Sequence, residues 1–344
     1  MMKLFLSILI FISSLAGRNA YCQKMSFDKV KFFEDTSIIN ATITTDMVKI
    51  LRKKDKTAVL FPANFSITLP EGFTINEPIV LDVRGHFRRA TCFLPPLTID
   101  FKDKKTSVLK PLGSLKLVSQ CFTSGAGEKY LLTEYLVYRI YNLLTDLSFH
   151  VRLLNLKLVD SSGKKKTISE YAFLIENIKN VAKRNKCAYS KEKIDPRNTD
   201  NHQMTIAAIF EYMIGNTDWG VSGNHNTRLL LAEKDTLNRP YVVPYDFDFS
   251  GFVNTDYAVP APNLDITNVR TRLYRGFPEP VEIVDSVVGI FKKQKENIYG
   301  LITHFDLLPS KNKNELTKYL DDFFELINNP TKVKYTFIEK ARTE

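Results

Sequence analysis

The sequence predicts an α+β fold with two lobes, a β-rich N-terminal lobe followed by a mainly helical C-terminal lobe. Short apolar runs alternate with turn residues over residues 43–116, as in a series of β-strands. Segments with helical periodicity dominate the chain after residue 200. At 344 residues the chain is also long enough to bury a core in each lobe. We therefore expect a β-rich region over residues 23–176, a helical region over residues 177–344 and a cleft between them.

The individual elements follow from apolar periodicity and from the turn residues between the runs. Strands are expected at 59–61, 65–69, 79–83, 97–101, 115–118, 151–159, 171–175, 228–232 and 241–244. Helices are expected at 129–144, 200–214, 281–304 and 312–327. The helix at 200–214 follows Asn198 and Thr199, which can cap its start. It stops at Gly215, a residue typical of helix C-termini.

Residues 1–22 have the pattern of a secretory signal peptide. Lys3 gives a positive start, residues 4–15 are mostly apolar, and cleavage is expected after Cys22. Acylation of Cys22, as in a lipoprotein, is the competing interpretation, and the bulky Tyr21 argues against it. No later apolar stretch is long enough to cross a bilayer. We expect an exported protein, periplasmic or secreted, with no integral membrane segment after signal cleavage.

Charge and cysteine content exclude several classes of protein. The lysines behind the net charge of +10 cluster in separate turns, not on one surface with exposed aromatic residues, so nucleic-acid binding is not expected. After signal cleavage Cys92, Cys121 and Cys187 remain, which allows at most one internal disulfide. We expect at least two of the three to be buried thiols. No CxxC pair occurs, which argues against a structural zinc site.

A group of carboxylates and amides lies within residues 216–251. Asp218 is followed by Asn224 and Asn226, and Asp246 and Asp248 come after a predicted strand. Such oxygen ligands suit Mg²⁺ or Mn²⁺, and an Asp, an amide and a second Asp in this order suit phosphoryl transfer. Turn chemistry alone can account for Asp218 and Asn224. The second pair of carboxylates alternates with phenylalanines and, if inward-facing, needs a counter-ion, which favours a metal site.

A lysine and a glutamate form a second candidate pair. Glu134 shares a helix face with apolar neighbours, so its carboxylate needs a cation if it is buried. Lys116 lies between Leu115 and Leu117 on a predicted strand, and the alternation places it on the opposite face from both. A strand lysine paired with a helix carboxylate can hold the α and β phosphates of ATP. A half-buried Glu134 and an edge-strand Lys116 are the structural alternative.

These motifs resemble those of the spore-coat CotH-type kinases, which are exported, atypical relatives of the protein-kinase fold. The resemblance covers about residues 83–251. It rests on the turn at 84–89, the lysine strand at 115–117, the helix at 131–144, the loop at 216–226 and the segment at 244–251. It implies a bilobal protein-kinase-like fold. It also implies an enzyme that uses ATP with Mg²⁺ or Mn²⁺ and transfers phosphate to a hydroxyl of a protein substrate.

The resemblance also implies a role for each candidate residue. The catalytic residue is Asp218, the nucleotide-binding residues are Lys116, Glu134, Arg84 and Glu176, and the metal ligands are Asn224 or Asn226 with Asp246 or Asp248. No glycine-rich GxGxxG loop occurs, so the phosphates need another cover, for which Arg84 and Arg88 are candidates. The missing loop, and Trp219 where the family often has a basic residue, favour an alternative. In that alternative the protein is a pseudokinase, an exported scaffold that binds nucleotide or protein without turnover.

Overall fold

The computed structural model describes residues 31–54, 59–69, 72–85, 87–101, 107–121, 125–233 and 239–343. The predicted signal peptide at residues 1–22 lies outside the described residues. The signal peptide, and the export that it implies, therefore stay predictions. None of the helices formed by the described residues is long and apolar enough to cross a bilayer.

Seven strands of the N-terminal half form a closed barrel. They are β1 (Ile39–Thr45), β2 (Leu60–Thr68), β3 (Thr74–Val83), β4 (Leu97–Asp100), β5 (Ser114–Val118), β6 (Val151–Asp160) and β7 (Ile168–Ile175). Their order around the barrel is β1-β2-β3-β4-β5-β7-β6. Every neighbouring pair is antiparallel except β1 and β6, which run parallel with Ile39 opposite Leu154 and Thr45 opposite Asp160.

The predicted bilobal protein-kinase-like fold is therefore wrong. The parallel pairing of β1 with β6 joins the two strands that would be the edges of an open sheet, and a closed barrel is not the N-terminal lobe of a kinase. Strand β1 was not expected at all. Apolar alternation shows which residues of a strand face inward, but it does not show which strand is its neighbour.

The barrel interior is apolar and follows the alternation of the strands. Ile43, Phe65, Leu115 and Leu154 are fully buried inside it. Because Leu115 and Leu117 point inward, Lys116 lies on the outer face of β5, as the alternation predicts. One face of β5 therefore packs inside the barrel, and the other face, which carries Lys116, can contribute to a site outside it.

Eight helices complete the described part of the chain, most of them in its C-terminal half. They are α1 (Met47–Lys53), α2 (Phe87–Thr91), α3 (Gly125–Leu144), α4 (Ile178–Arg184), α5 (Asn201–Ile214), α6 (Val281–Thr303), α7 (Ser310–Ile327) and α8 (Pro330–Lys334). The helix predicted at 200–214 is confirmed as α5, but its cap is Asp200, whose carboxylate accepts the N–H of Gln203 at 2.8 Å. It ends at Gly215 in the left-handed conformation, with φ of 67°.

A small antiparallel sheet lies in the C-terminal half, in the order β10-β9-β8. Its strands are β8 (Cys187–Ser190), β9 (Thr227–Ala232) and β10 (Tyr241–Pro244). Helix α3 packs into the same apolar core as this sheet and the C-terminal helices, and it meets the outer side of the barrel at Leu153 and Phe173. Helix α3 therefore stands between the barrel and the helical part, next to the outer face of β5.

Candidate functional site

A charged crevice forms where the barrel, α3 and the end of β10 meet. Helix α3 contributes Glu134 and, one turn later on the same face, Tyr138. The residues after β10 contribute Asp246 and Asp248. Glu134 and Asp248 are deeply buried, with 3% and 6% of their surfaces exposed. The crevice thus gathers carboxylates that were predicted from two separate sequence motifs.

Asp246 adopts a backbone conformation that few residues accept. Its φ is 69°, in the left-handed region, and its N–H donates to the Tyr138 hydroxyl at 2.9 Å. Asn224 and Asn226, at 52° and 50°, share this region, so three of the six non-glycine residues with positive φ in the described part of the chain are predicted metal ligands. Such conformations cost free energy and cluster at functional sites. Tyr138 is therefore a positioning residue for Asp246.

Asp218 is held by the loop that follows α5. Its N–H donates to Asn216 Oδ1 at 3.0 Å, and Asn226 Nδ2 donates to its Oδ2 at 3.0 Å and to its carbonyl at 2.7 Å. His225 Nε2 lies 2.8 Å from Asp218 Oδ1. The Asp218 side chain is still 39% exposed. The loop thus orients a carboxylate that a substrate from solvent can reach.

Asn226 connects this loop to the strand end. Its carbonyl accepts the N–H of Tyr245 at 3.0 Å, next to Asp246 in the chain. Both hydrogen bonds from its Nδ2 go to Asp218, and no donor among the described residues bonds to its Oδ1. That amide oxygen can serve as a metal ligand.

Lys116 does not form the predicted pair with Glu134. Its ammonium lies 3.8 Å from the centroid of the Tyr245 ring, and the guanidinium of Arg228 lies 4.4 Å from the same centroid. Burial, and then the positive charge of Arg84, lower the pKa of Lys116 to about 7. Lys116 thus forms no ion pair with any described residue, and its ammonium lies against an aromatic face.

Arg84 and Arg88 line the crevice from the barrel side, and both are anchored through carbonyl oxygens. Arg84 donates to the carbonyls of Leu97 and Leu117, each at 3.3 Å, and Arg88 donates to that of Ser119 at 2.6 Å. The helix that carries Arg88 is fixed by a disulfide between Cys92 and Cys121. The expectation of at least two buried thiols is therefore wrong, since only Cys187 among these three cysteines is free.

Positive and negative side chains lie close together in the crevice, but the described residues form no ion pairs there. Among the described residues, no ion pair joins any of its carboxylates to any of its cations. The carboxylates are Glu134, Asp246 and Asp248, and the cations are Arg84, Arg88, Lys116 and Arg228. Burial, and then the negative charges of the two aspartates, raise the pKa of Glu134 well above its usual range. Burial and then the charge of Asp246 raise the pKa of Asp248 to about 6.

The oxygen donors fit a hard cation that shares its ligands with phosphates. No group of three His, Cys, Asp or Glu side chains converges as a closed metal cage in the part of the chain that the structure describes. Asp246, Asp248 and the Asn226 amide oxygen are donors of the kind that Mg²⁺ combines with water and phosphate, so these residues could hold such a cation. Glu134 Oε1 is buried and accepts no hydrogen bond, as expected beside a site that needs another ligand.

Two predicted site residues do not join this cluster. The Glu176 carboxylate lies 3.1 Å from Arg184 and accepts the N–H of His150 at 3.1 Å. It therefore links the end of α4 to the start of β6. Asn224 donates to the carbonyls of Lys191 and Glu192 at 3.2 and 3.1 Å. Of the two candidate asparagines, Asn226 is the one that bonds to Asp218 and to the chain beside Asp246.

Two cavities adjoin the candidate residues. One, of about 10 Å³, is walled by Arg88, Glu134, Asp248 and Tyr257 among others and holds about one water. The other, of about 180 Å³, lies beside Asp218 and is otherwise mostly apolar, with Val259 on its rim. The second cavity gives an approach to Asp218 from solvent.

Several residues of the site were not assigned by sequence reasoning. Tyr138, Tyr245, Tyr257 and Arg228 all touch charged groups of the crevice or the rings beside them. The helical spacing of Tyr138 from Glu134 was a usable signal. Tyr257 lies in an irregular segment without periodicity, so no pattern pointed to it.

Comparisons of the chain with protein-family models and with curated proteins found no match. The resemblance to the CotH-type kinases and the use of ATP therefore stay predictions. They depend on the motifs of this sequence and on the geometry of the crevice.

Proposed function

We propose that this protein binds ATP with Mg²⁺ or Mn²⁺ in the charged crevice and transfers phosphate to a hydroxyl of a protein substrate. The observation that carries the proposal is the set of buried, opposite charges that do not pair with one another. Folding alone selects against such groups, because each buried charge without a partner lowers stability. A ligand that carries both negative phosphates and a divalent cation satisfies both sets at once.

The cations of the crevice would hold the nucleotide. Lys116, Arg84 and Arg88 reach the crevice from the barrel side, where negative phosphate oxygens can take the place of their missing partner anions. Asp246, Asp248 and Asn226 would bind the divalent cation, which when bound neutralises the charge that develops on the phosphates. Fixed charges of this kind accelerate a reaction because they need no reorganisation.

Asp218 would orient the acceptor hydroxyl and receive its proton. It is exposed, held by Asn226, and next to the cavity of about 180 Å³. A general base needs only hydrogen-bond reach and a suitable protonation state. His225, in contact with the same carboxylate, would help to fix its orientation.

The resemblance to CotH-type kinases supports the same chemistry through the motifs alone. The closed barrel excludes an argument from the kinase fold, and chemistry of one kind can occur on unrelated folds. The Cys92–Cys121 disulfide supports the proposed export, because disulfides persist in oxidising compartments.

A scaffold that binds nucleotide without turnover is the second candidate. It is favoured by the small volume of the cavity beside Glu134 and by the missing contact between Lys116 and Glu134. It predicts that ATP binds but that no group is transferred.

Labelled ATP distinguishes these functions. The purified protein is incubated with Mn²⁺ and ATP labelled at either the α or the γ phosphate, together with a mixture of acceptor proteins. Label from the γ position is expected on protein. Asp218→Asn should lower its incorporation by about 100-fold or more. Asp195→Asn is the matched control, since Asp195 pairs with Arg197 on the surface.

Each result decides between named alternatives. Transfer of the α label in place of the γ label would identify adenylylation. Binding of ATP without transfer of either label would identify the scaffold. Absence of ATP binding, measured by calorimetry with Mn²⁺, would overturn the proposal as a whole.

A further inference from the structure

The segment after Asp248 folds back onto that residue. The Tyr257 hydroxyl donates to Asp248 Oδ2 at 2.9 Å, and the Thr255 hydroxyl donates to the Asp248 carbonyl at 3.1 Å. The Tyr257 ring also packs on Phe249, with 5.6 Å between the ring centroids. Two contacts of Tyr257 and one of Thr255 therefore hold this segment against one candidate metal ligand.

The same side chain lines the small cavity among the charged groups of the crevice. Tyr257 forms part of the wall of the 10 Å³ cavity, together with Arg88, Glu134 and Asp248. This volume accommodates about one water and is far smaller than a triphosphate with its cation. A nucleotide does not fit the space among these charges in this conformation, in which Tyr257 forms part of the wall.

We propose that Tyr257 is a latch, which closes the crevice in the nucleotide-free protein and is displaced when the cation and ATP bind. The inference rests on the proposed function. The Tyr257 hydrogen bond holds Asp248 Oδ2 in its closed orientation, and a cation that needs this carboxylate turned competes with the latch. Because a ligand shifts an equilibrium through its different affinity for the two states, breaking the latch increases the affinity for the cation.

A purely supporting role for Tyr257 has the opposite consequence. If the hydroxyl orients Asp248 for the metal, its removal weakens metal binding, as loss of an outer hydrogen-bond partner usually does. The sign of the change in metal affinity therefore separates a latch from a support.

The test measures Mn²⁺ binding by electron paramagnetic resonance in the presence of a non-hydrolysable ATP analogue. Tyr257→Phe removes one hydroxyl, and we expect the dissociation constant for Mn²⁺ to fall by about tenfold, the weight of one hydrogen bond to a charged group. Thr255→Val, which breaks the second contact to Asp248, should lower it by a smaller factor. Tyr299→Phe is the matched control, because it removes a hydroxyl that donates to Asp321 at 2.7 Å, on the exposed surface of α6 and α7, and should change nothing.

Hydrogen exchange gives an independent readout on the wild-type protein. Addition of Mn²⁺ and the analogue should speed amide exchange in residues 252–262, because the latch opens. Protection of this segment on ligand addition would overturn the inference.

The metal-binding outcomes separate this inference from the proposed function. Wild-type protein that binds Mn²⁺ while Tyr257→Phe binds it equally or more weakly would refute the latch and leave the site intact. Failure of the wild type and both latch variants to bind Mn²⁺ would remove the metal site, and the latch with it.

Discussion

Glu77 in the barrel and Glu134 in the crevice are both buried, but their carboxylates differ in hydrogen bonding. In the barrel, Glu77 accepts hydrogen bonds from the hydroxyl of Ser107 and from the N–H of Val108, the latter at 2.6 Å. In the crevice, Glu134 is more deeply buried than Glu77, yet its Oε1 has no hydrogen-bond partner. The Arg152 guanidinium, also buried, has a direct partner in Asp35 at 3.1 Å, whereas Arg84 and Arg88 have carbonyl partners but no contact anion.

This difference separates groups that serve the fold from groups that serve a ligand. A buried polar group with a hydrogen-bond partner contributes to stability or lowers it little. A buried polar group without a partner lowers stability by about 1–3 kcal/mol. Proteins keep unsatisfied groups mainly where function requires them. If this distinction holds, substitutions in the two regions should change the free energy of unfolding by different amounts and with different signs.

The disulfide that joins the barrel to the crevice wall should have the largest effect on stability. Replacing Cys92 and Cys121 together by serine should lower the free energy of unfolding by about 3 kcal/mol, because the unfolded chain gains the freedom of a long loop. Equilibrium denaturation in urea measures this. Dithiothreitol should destabilise the wild type by the same amount and leave the double variant unchanged. An equal response of both proteins would contradict the prediction.

Glu77→Leu should destabilise the barrel by about 2 kcal/mol. It leaves the N–H groups of Val108 and Leu109 without their acceptor. The folded variant should bind ATP as the wild type does, which calorimetry checks. A weaker ATP affinity would mean that the barrel and the crevice are not independent.

Glu134→Leu should change the free energy of unfolding in the opposite direction and stabilise the protein. Because no partner compensates the burial of this carboxylate, an apolar side chain of similar size should raise the free energy of unfolding by about 1 kcal/mol. The thermal shift produced by ATP with Mn²⁺ should disappear. Denaturation in urea and the melting temperature with ligand measure the two effects. Destabilisation like that of Glu77→Leu would place Glu134 among the structural residues.

Lys116 should make the stability of the protein depend on pH. Its pKa of about 7 lies below the value of an unfolded lysine, so between pH 7 and pH 10 the unfolded chain binds more protons. The free energy of unfolding should therefore rise with pH across this window, and Lys116→Met should remove that slope.

Nucleotide binding gives a second measurement on the same lysine. At pH 8 the binding of ATP should take up as much as about one proton, because phosphates favour the ammonium form. Calorimetry in buffers of different ionisation enthalpy measures this uptake. An uptake that persists in Lys116→Met would assign the proton to another group.

Local structure was largely predictable from the sequence, whereas the closure of the barrel was not. The helices at α3, α5, α6 and α7 and the strands at β6, β9 and β10 lie close to their predicted positions, because apolar periodicity is a local property. The pairing of Ile39 with Leu154 links distant segments, and no local pattern specifies it. The pairing of β1 with β6 closes the sheet into a barrel.

Candidate site residues could be identified from the sequence where their chemical type, such as a carboxylate or an amide, suggests a role. Glu134, Asp246 and Asp248, predicted from two separate motifs, lie in one crevice, and Asp218 bonds to Asn226 in the neighbouring loop. The metal site itself stays a prediction. The placement of Lys116 on the Tyr245 ring was not predictable, because it depends on how β5 sits against β10. The roles of Tyr257 and Glu176 likewise depend on contacts between segments that the sequence does not relate.

The parallel contact of β1 with β6 also bears on how the chain is synthesised. The first strand leaves the ribosome well before the strand that must cover one of its sides. Until then its free backbone groups can pair with another chain, which is a common route to aggregation. Long-range contacts of this kind also fold slowly. Biogenesis of this protein therefore depends on shielding a nascent strand until its late neighbour arrives.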